Sequence, residues 1–158
     1  MKLYFLRHAE ALPDEDDAAR PLSQTGKKEA QSLGRFLNNA GIAFDAAFTS
    51  PLVRARQTAE IVLKICGDVS PAKLELTEAL RNETSQKAFD RWLGDLPETN
   101  KVLLVGHEPT LSERVRRLLT IASPERLRLP KGGLACVDSE DRRAGSLKFF
   151  VSPKIIAE

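Results

Sequence analysis

The chain contains two histidines, and each directly follows an apolar run. LYFL leads into Arg7-His8, and KVLLV leads into Gly106-His107-Glu108. Short continuous apolar runs of this kind predict buried strands. In open α/β sheets, ligands bind beyond the carboxyl ends of the strands, so both imidazoles are expected at one rim. A third segment, SPLVRARQTA (50–59), places Arg54 just past another predicted strand, in the first turn of a helix. Brought together, Arg7, His8, Arg54 and His107 would make a pocket of two guanidinium groups and two imidazoles. Arginine is always charged and grips phosphate oxygens through a rigid fork. Helix N-termini after Pro51 and Pro109 are expected to add backbone donors and a favourable dipole. The only carboxylates in these motifs are Glu10 and Glu108. The set suits a dianion, phosphate before others.

A histidine among arginines has a chemical logic. Neighbouring positive charge disfavours the imidazolium, which leaves a neutral ring able to attack phosphorus. The same charges would stabilise the equatorial oxygens during in-line transfer. His8, beside Arg7, is the expected nucleophile, and His107 is expected to bind and stabilise the transferring group. Ser50 could donate to the phosphate or merely end its strand. Arg20 could reach over the pocket to touch substrate or remain at the surface.

The elements that must position these residues follow the same patterns. Strands are predicted over 2–6, 46–50 and 101–105, a weak one over 73–76, and two more near 134–138 and 147–151. Helices are predicted from about Ser23 towards Gly41, from about Leu52 to Ile65, over 86–93, and from about Leu111 to Leu119. Ala30, Leu33 and Leu37 share one face of the first helix, and Leu111, Val115 and Leu118 share one face of the last. Phe89 and Trp92 are expected in the core. Arg114, Arg116 and Arg117 read as a solvated face, and Lys131-Gly132-Gly133 as a turn into a strand. Alternating strands and helices predict an α/β fold: a single-domain three-layer sandwich over 1–158, with a mostly parallel central sheet and helices on both faces.

Composition narrows the class without choosing it. A chain of 158 residues can bury one core. With 24 basic and 22 acidic residues the net charge is +2, a balance that points to neither nucleic acid nor membrane. Cys66 and Cys136 are too few and too far apart for a disulfide framework and are expected to be reduced. The apolar run over 3–6 is shorter than the roughly 7–15 residues of a signal peptide or the roughly 20 of a membrane span. A cytoplasmic protein is expected. The acidic run Asp14-Glu15-Asp16-Asp17 reads as a solvated loop rather than a metal site.

The motifs resemble those of a known family. LRHAE (6–10) is similar to the R-H-G signature that opens the histidine phosphatase superfamily, with Ala9 where many members have glycine. PLSQTGKKEAQSLG (21–34), SPLVRARQTA (50–59) and VGHEPTLS (105–112) resemble its next three motifs, in the expected order. The short length, the G-H-E-P-T-L-S wording and the tail KGGLACVD resemble the SixA-type phosphohistidine phosphatase branch. The resemblance implies a phosphoglycerate mutase-like fold and an enzyme without metal or cofactor. It also implies transient phosphorylation of His8, with Arg7, Arg54 and His107 binding the phosphoryl group of a phosphohistidine-containing protein. Many relatives take a glutamate near the position of Glu78 as general acid. Glu83, Asp16 and Asp17 compete for that role, or none is needed where the leaving group is an imidazole. Two alternatives remain: a phosphatase or mutase of small phosphorylated metabolites, and a phosphate-binding module without catalysis.

Overall fold

Alternation along two central strands builds both halves of the core. The computed structural model describes residues 1–69 and 73–156. In β1 (Lys2–Arg7) and β4 (Lys101–Gly106), Leu3, Phe5, Val102 and Leu104 pack into one apolar cluster. Tyr4, Leu6, Leu103 and Val105 pack into the other. Successive strand residues face opposite sides, so a strand that is apolar throughout must be covered on both faces. One cover is α1 (Gln24–Asn39) with α2 (Val53–Cys66), which supply Leu33, Leu37, Ala59 and Val62. The other is α3 (Gln86–Asp95) with α4 (Thr110–Leu118), which supply Phe89, Leu93, Leu111 and Val115. This is the expected three-layer sandwich.

The sheet also contains β2 (Ala46–Thr49), β3 (Glu75–Leu76), β5 (Leu134–Asp138) and β6 (Ser146–Val151), in the order β3-β2-β4-β1-β5-β6. β3, β2, β4 and β1 pair in parallel, while β5 and β6 pair antiparallel at one edge. Arg7 stands opposite Gly106, and Thr49 opposite Val105. The residues that follow these three strand ends are therefore neighbours.

The start of α1 is pinned to the loop after β1. The Ser23 hydroxyl accepts from the Gly26 amide at 3.0 Å, capping the helix, and the Ser23 amide donates to the Glu10 carbonyl at 2.9 Å. A Cβ on Gly26 would lie 2.0 Å from that same carbonyl oxygen. Only a residue without a side chain permits this approach.

Several details depart from the sequence expectations. α3 runs on to Asp95, and a short α5 (Pro153–Ile156), too brief to show a helical period in sequence, packs on α1. The solvated face expected for Arg114, Arg116 and Arg117 is not observed. Arg114 is buried, donates to the Thr84 carbonyl and Gln86, and lies 4.5 Å over the Phe89 ring. Arg116 donates to the Leu127 carbonyl at 2.7 Å, and Arg117 alone stays mostly exposed. A long arginine stem covers apolar surface while its head satisfies loop carbonyls.

Candidate active site

Backbone hydrogen bonds carry the strand-end alignment one residue further. The His8 amide donates to the Gly106 carbonyl at 3.0 Å, and the Ser50 amide to the Val105 carbonyl at 2.9 Å. Gly132 donates to the His8 carbonyl at 3.1 Å from a φ of +70°, the left-handed region that glycine enters without a Cβ penalty. The His8 and His107 rings come to 5.1 Å, centroid to centroid. His8, His107 and Arg54 keep only 8%, 2% and 7% of their surface, so their polar atoms must find partners in the protein or in a ligand.

His8 is set up as a base with one free nitrogen. Its Nδ1 lies 2.7 Å from the Ala9 carbonyl oxygen. A carbonyl only accepts, so Nδ1 carries the proton and Nε2 keeps its lone pair. Ala9 is itself held, because its amide donates to Thr58 Oγ1 at 3.1 Å and that hydroxyl donates to the Arg54 carbonyl at 2.7 Å. Burial pushes the His8 imidazole down to about 4; Arg54, Arg7 and Arg20 push the same way, against the Ala9 hydrogen bond. At neutral pH the ring is uncharged.

His107 is ordered through Ser50. Its Nε2 lies 2.8 Å from Ser50 Oγ, which also accepts from the Leu52 amide at 3.3 Å. The serine hydrogen is satisfied when it is donated to Nε2, which places the His107 proton on Nδ1. Burial, then His8 and Arg54, push this imidazole down to about 3, with Asp17 pulling the other way.

Three buried nitrogens of this cluster have no partner in the protein: Arg7 Nε, Arg54 Nε and His107 Nδ1. An unmade buried hydrogen bond costs about 1–3 kcal/mol, so three together form a donor set suited to an anion. Arg54 has both terminal nitrogens engaged, and Arg7 has one. Arg7 Nη1 donates to the Leu129 carbonyl at 3.1 Å. The Leu129 amide donates to Ser112 Oγ at 2.9 Å, and that hydroxyl donates to Glu108 Oε1 at 2.6 Å. Arg54 Nη1 donates to the Asp17 carbonyl at 2.8 Å and Nη2 to Asp17 Oδ2 at 3.3 Å.

Arg7, His8, Arg54 and His107 are thus brought together, and the other candidates are placed differently. Ser50 is fully buried, with its hydroxyl against His107 Nε2. Arg20 is at the rim, donating to the Leu12 carbonyl and to Asp17, its charge bearing on His8. Glu78 is exposed and paired with Arg81 at 3.1 Å, and Glu83 pairs with the same arginine. Asp16 caps the turn over 17–19 by accepting from the Ala18 amide. The helix N-terminus expected to serve the anion after Pro109 is already capped. Glu108 takes the Ser112 amide at 3.0 Å and Asn82 lies 3.4 Å from the Thr110 amide. Sequence reasoning gave no role to Thr58 or Ser112. Thr58 lies four residues after Arg54, on the same helical face, a signal that could have found it. Among the described residues, no three His, Cys, Asp or Glu side chains gather as metal ligands.

A cavity of about 500 Å³ opens beside Arg7, lined also by Glu10, Glu29, Lys131 and Pro153. A larger one, about 840 Å³, lies by α3 and the β5–β6 turn, and neither cavity is lined by His8, Arg54 or His107.

The sheet order and the strand-end histidine pair define a phosphoglycerate mutase-like α/β protein. Residues 3–85 match the model of the histidine phosphatase superfamily (branch 1). An uncharacterized protein of Picosynechococcus sp. is 34% identical over 139 residues, 85% of this chain and 82% of that protein. The chain belongs to the histidine phosphatase superfamily. A phosphoglycerate mutase of Schizosaccharomyces pombe is 40% identical over 80 residues, but the match spans only 51% of this chain and 34% of the mutase. Among solved structures, the protein histidine phosphatase SixA complexed with tungstate superposes with a TM-score of 0.88 at 24% identity, over 98% of this chain and 99% of that one.

Proposed function

We propose that the protein is a phosphohistidine phosphatase that works through a transient phospho-His8. The observation that carries this is the His8 ring, held neutral with its proton on Nδ1 and its Nε2 lone pair free beside three unpartnered buried donors. The Nε2 lone pair attacks phosphorus, the phosphorus–nitrogen bond of the substrate breaks, and its electron pair stays on the substrate imidazole. That ring leaves neutral when its other nitrogen is already protonated, so it needs little acid help, whereas an alkoxide would. Arg7, Arg54 and His107 hold the equatorial oxygens and meet the charge that develops there. Water then attacks phospho-His8. The electron pair returns to Nε2, and the water proton leaves with inorganic phosphate.

The likeness in fold to SixA supports a protein substrate, and the cavity beside Arg7 leaves room for the chain next to the phosphorylated residue. The proposal includes one domain over 1–158, a cytoplasmic location, and a reaction needing no metal, which EDTA treatment would check. No helix among the described residues is long and apolar enough to cross a membrane. The match to the mutase favours a second possibility, a phosphatase or mutase of small phosphate esters, which a panel of such esters would reveal. A module that only binds phosphate has no use for a free Nε2.

The test is a rapid-quench reaction with a radiolabelled phosphohistidine protein. Acid-labile, base-stable label on His8, absent from His8→Ala, is expected. Release of phosphate by His8→Ala at the wild-type rate would overturn the covalent route. Turnover of esters without turnover of the phosphoprotein would move the substrate to the second class.

A further inference from the structure

The acidic loop after β1 does more than meet solvent. It is closed at its base by the Ala11–Leu22 bridge and by the Leu12 amide donating to the Pro21 carbonyl at 2.8 Å. At its far end, the turn over 17–19 returns to α2, where one residue, Asp17, takes both terminal nitrogens of Arg54, one on its carbonyl and one on its carboxylate. A guanidinium fork has two usable edges, each able to hold a pair of oxygens. Asp17 occupies the end edge, Nη1 with Nη2. The side edge contains Nε, which is buried and unpartnered. Thr58 ties the Arg54 carbonyl to the Ala9 amide next to His8, and the charge of Arg54 bears on both His8 and His107. Asp17 is held in turn by Arg20 Nη1, 3.4 Å from its Oδ1.

We propose that Asp17 is the positioning residue of the phosphoryl site, gripping the end edge of Arg54 so that the Nε edge faces the transferring group. The role rests on the phosphoryl-transfer reading of His8 and His107. This role differs from that of proton donor, for which Asp17 was a candidate. Its carboxyl is pushed up by desolvation, but Arg54 and Arg20 outweigh that and hold it below the usual carboxylate range. Such neighbours favour the ionised form.

Alignment matters more in the transition state than in the ground state. The pocket holds a resting phosphate at several points, whereas the in-line geometry needs each donor in place. The experiment therefore compares Asp17→Ala, which loses the carboxylate, with Asp17→Asn, which keeps an acceptor oxygen for Nη2 but no charge. Affinity for orthovanadate, which takes up the five-coordinate geometry, is measured by calorimetry beside affinity for inorganic phosphate and kcat. Asp17→Ala should weaken vanadate binding and kcat by about tenfold, less than the 10²–10³ of deleting a donor outright. Phosphate affinity should change by less than about threefold, by the same ground-state argument. Asp17→Asn should recover most of the loss. Since Asp17 is exposed, the melting temperature should hardly move.

If Asp17→Ala matches wild type in vanadate affinity, or if Asp17→Asn is as damaged as Asp17→Ala, the positioning role is overturned. The second result would indicate a role for the charge or for a proton. If wild-type protein binds vanadate but turns over no substrate, the vanadate comparison still decides the role of Asp17 while the proposed activity fails. If wild type binds neither anion, both fall together.

Discussion

Lowering the pH from 7 to 5 should destabilise this protein through its two histidines, by an amount the site geometry sets. Both rings are buried, with folded-state midpoints pushed down to about 4 and about 3. In the unfolded chain each titrates near 6.5. Below that value the unfolded state binds protons that the folded state refuses, so stability falls as pH falls. At pH 5 both rings are still neutral in the folded protein and almost fully charged in the unfolded one. The linkage costs about 2 kcal/mol per histidine between pH 7 and 5, about 4 kcal/mol for the pair. The figure hardly depends on how far below 5 each midpoint lies. The loss begins near pH 6.5 and is complete only when the folded midpoints are passed. Denaturant unfolding at both pH values, in buffers free of phosphate, compares wild type with His8→Gln/His107→Gln. Titrating carboxylates affect both proteins alike, so wild type should lose about 4 kcal/mol more than the double variant. Parallel losses would refute the argument. So would an NMR titration in which either imidazole turns over near 6.5. A chain with two histidines makes that spectrum simple to assign.

Two further substitutions probe what holds the site. Gly26→Ala places a Cβ 2.0 Å from the Glu10 carbonyl oxygen. Backbone cannot yield as a flexible side chain does, so a loss of about 3 kcal/mol or more is expected in chemical denaturation. Vanadate affinity should fall with it as the His8 loop shifts. Ser50→Ala strips the partner from His107 Nε2 and from the Leu52 amide. That should cost about 1–3 kcal/mol and weaken phosphate binding, because the His107 proton is no longer directed to Nδ1. Unchanged stability and unchanged His107 nitrogen shifts would show that the serine does not order the ring.

The clustering of Arg7, His8, Arg54 and His107 was legible because they sit where local pattern is strongest. LYFL and KVLLV can only be strands covered on both faces, and the histidines after them must then emerge at a common rim. The start of α1 at Ser23, its stop near Gly41 and the burial of Leu33 and Leu37 follow from capping and from a 3.6-residue period. Those signals lie within a few residues of one another, so one segment contains all the information needed.

Roles decided between segments were not legible. Whether Arg114 faces water depended on where the Thr84 carbonyl came to rest. Whether the α4 N-terminus could serve an anion depended on which way the Glu108 side chain turned. Ser50 became a partner of His107 because β2 and β4 end in register. Asp17, one of four consecutive acids, was distinguished from the others only when its loop folded back onto Arg54. By itself the sequence determined that Arg7, His8, Arg54 and His107 would share a sheet rim. The tertiary structure alone decided the environment of each imidazole and the partners of each guanidinium. Those depend on burial and on single hydrogen bonds between residues far apart in the chain.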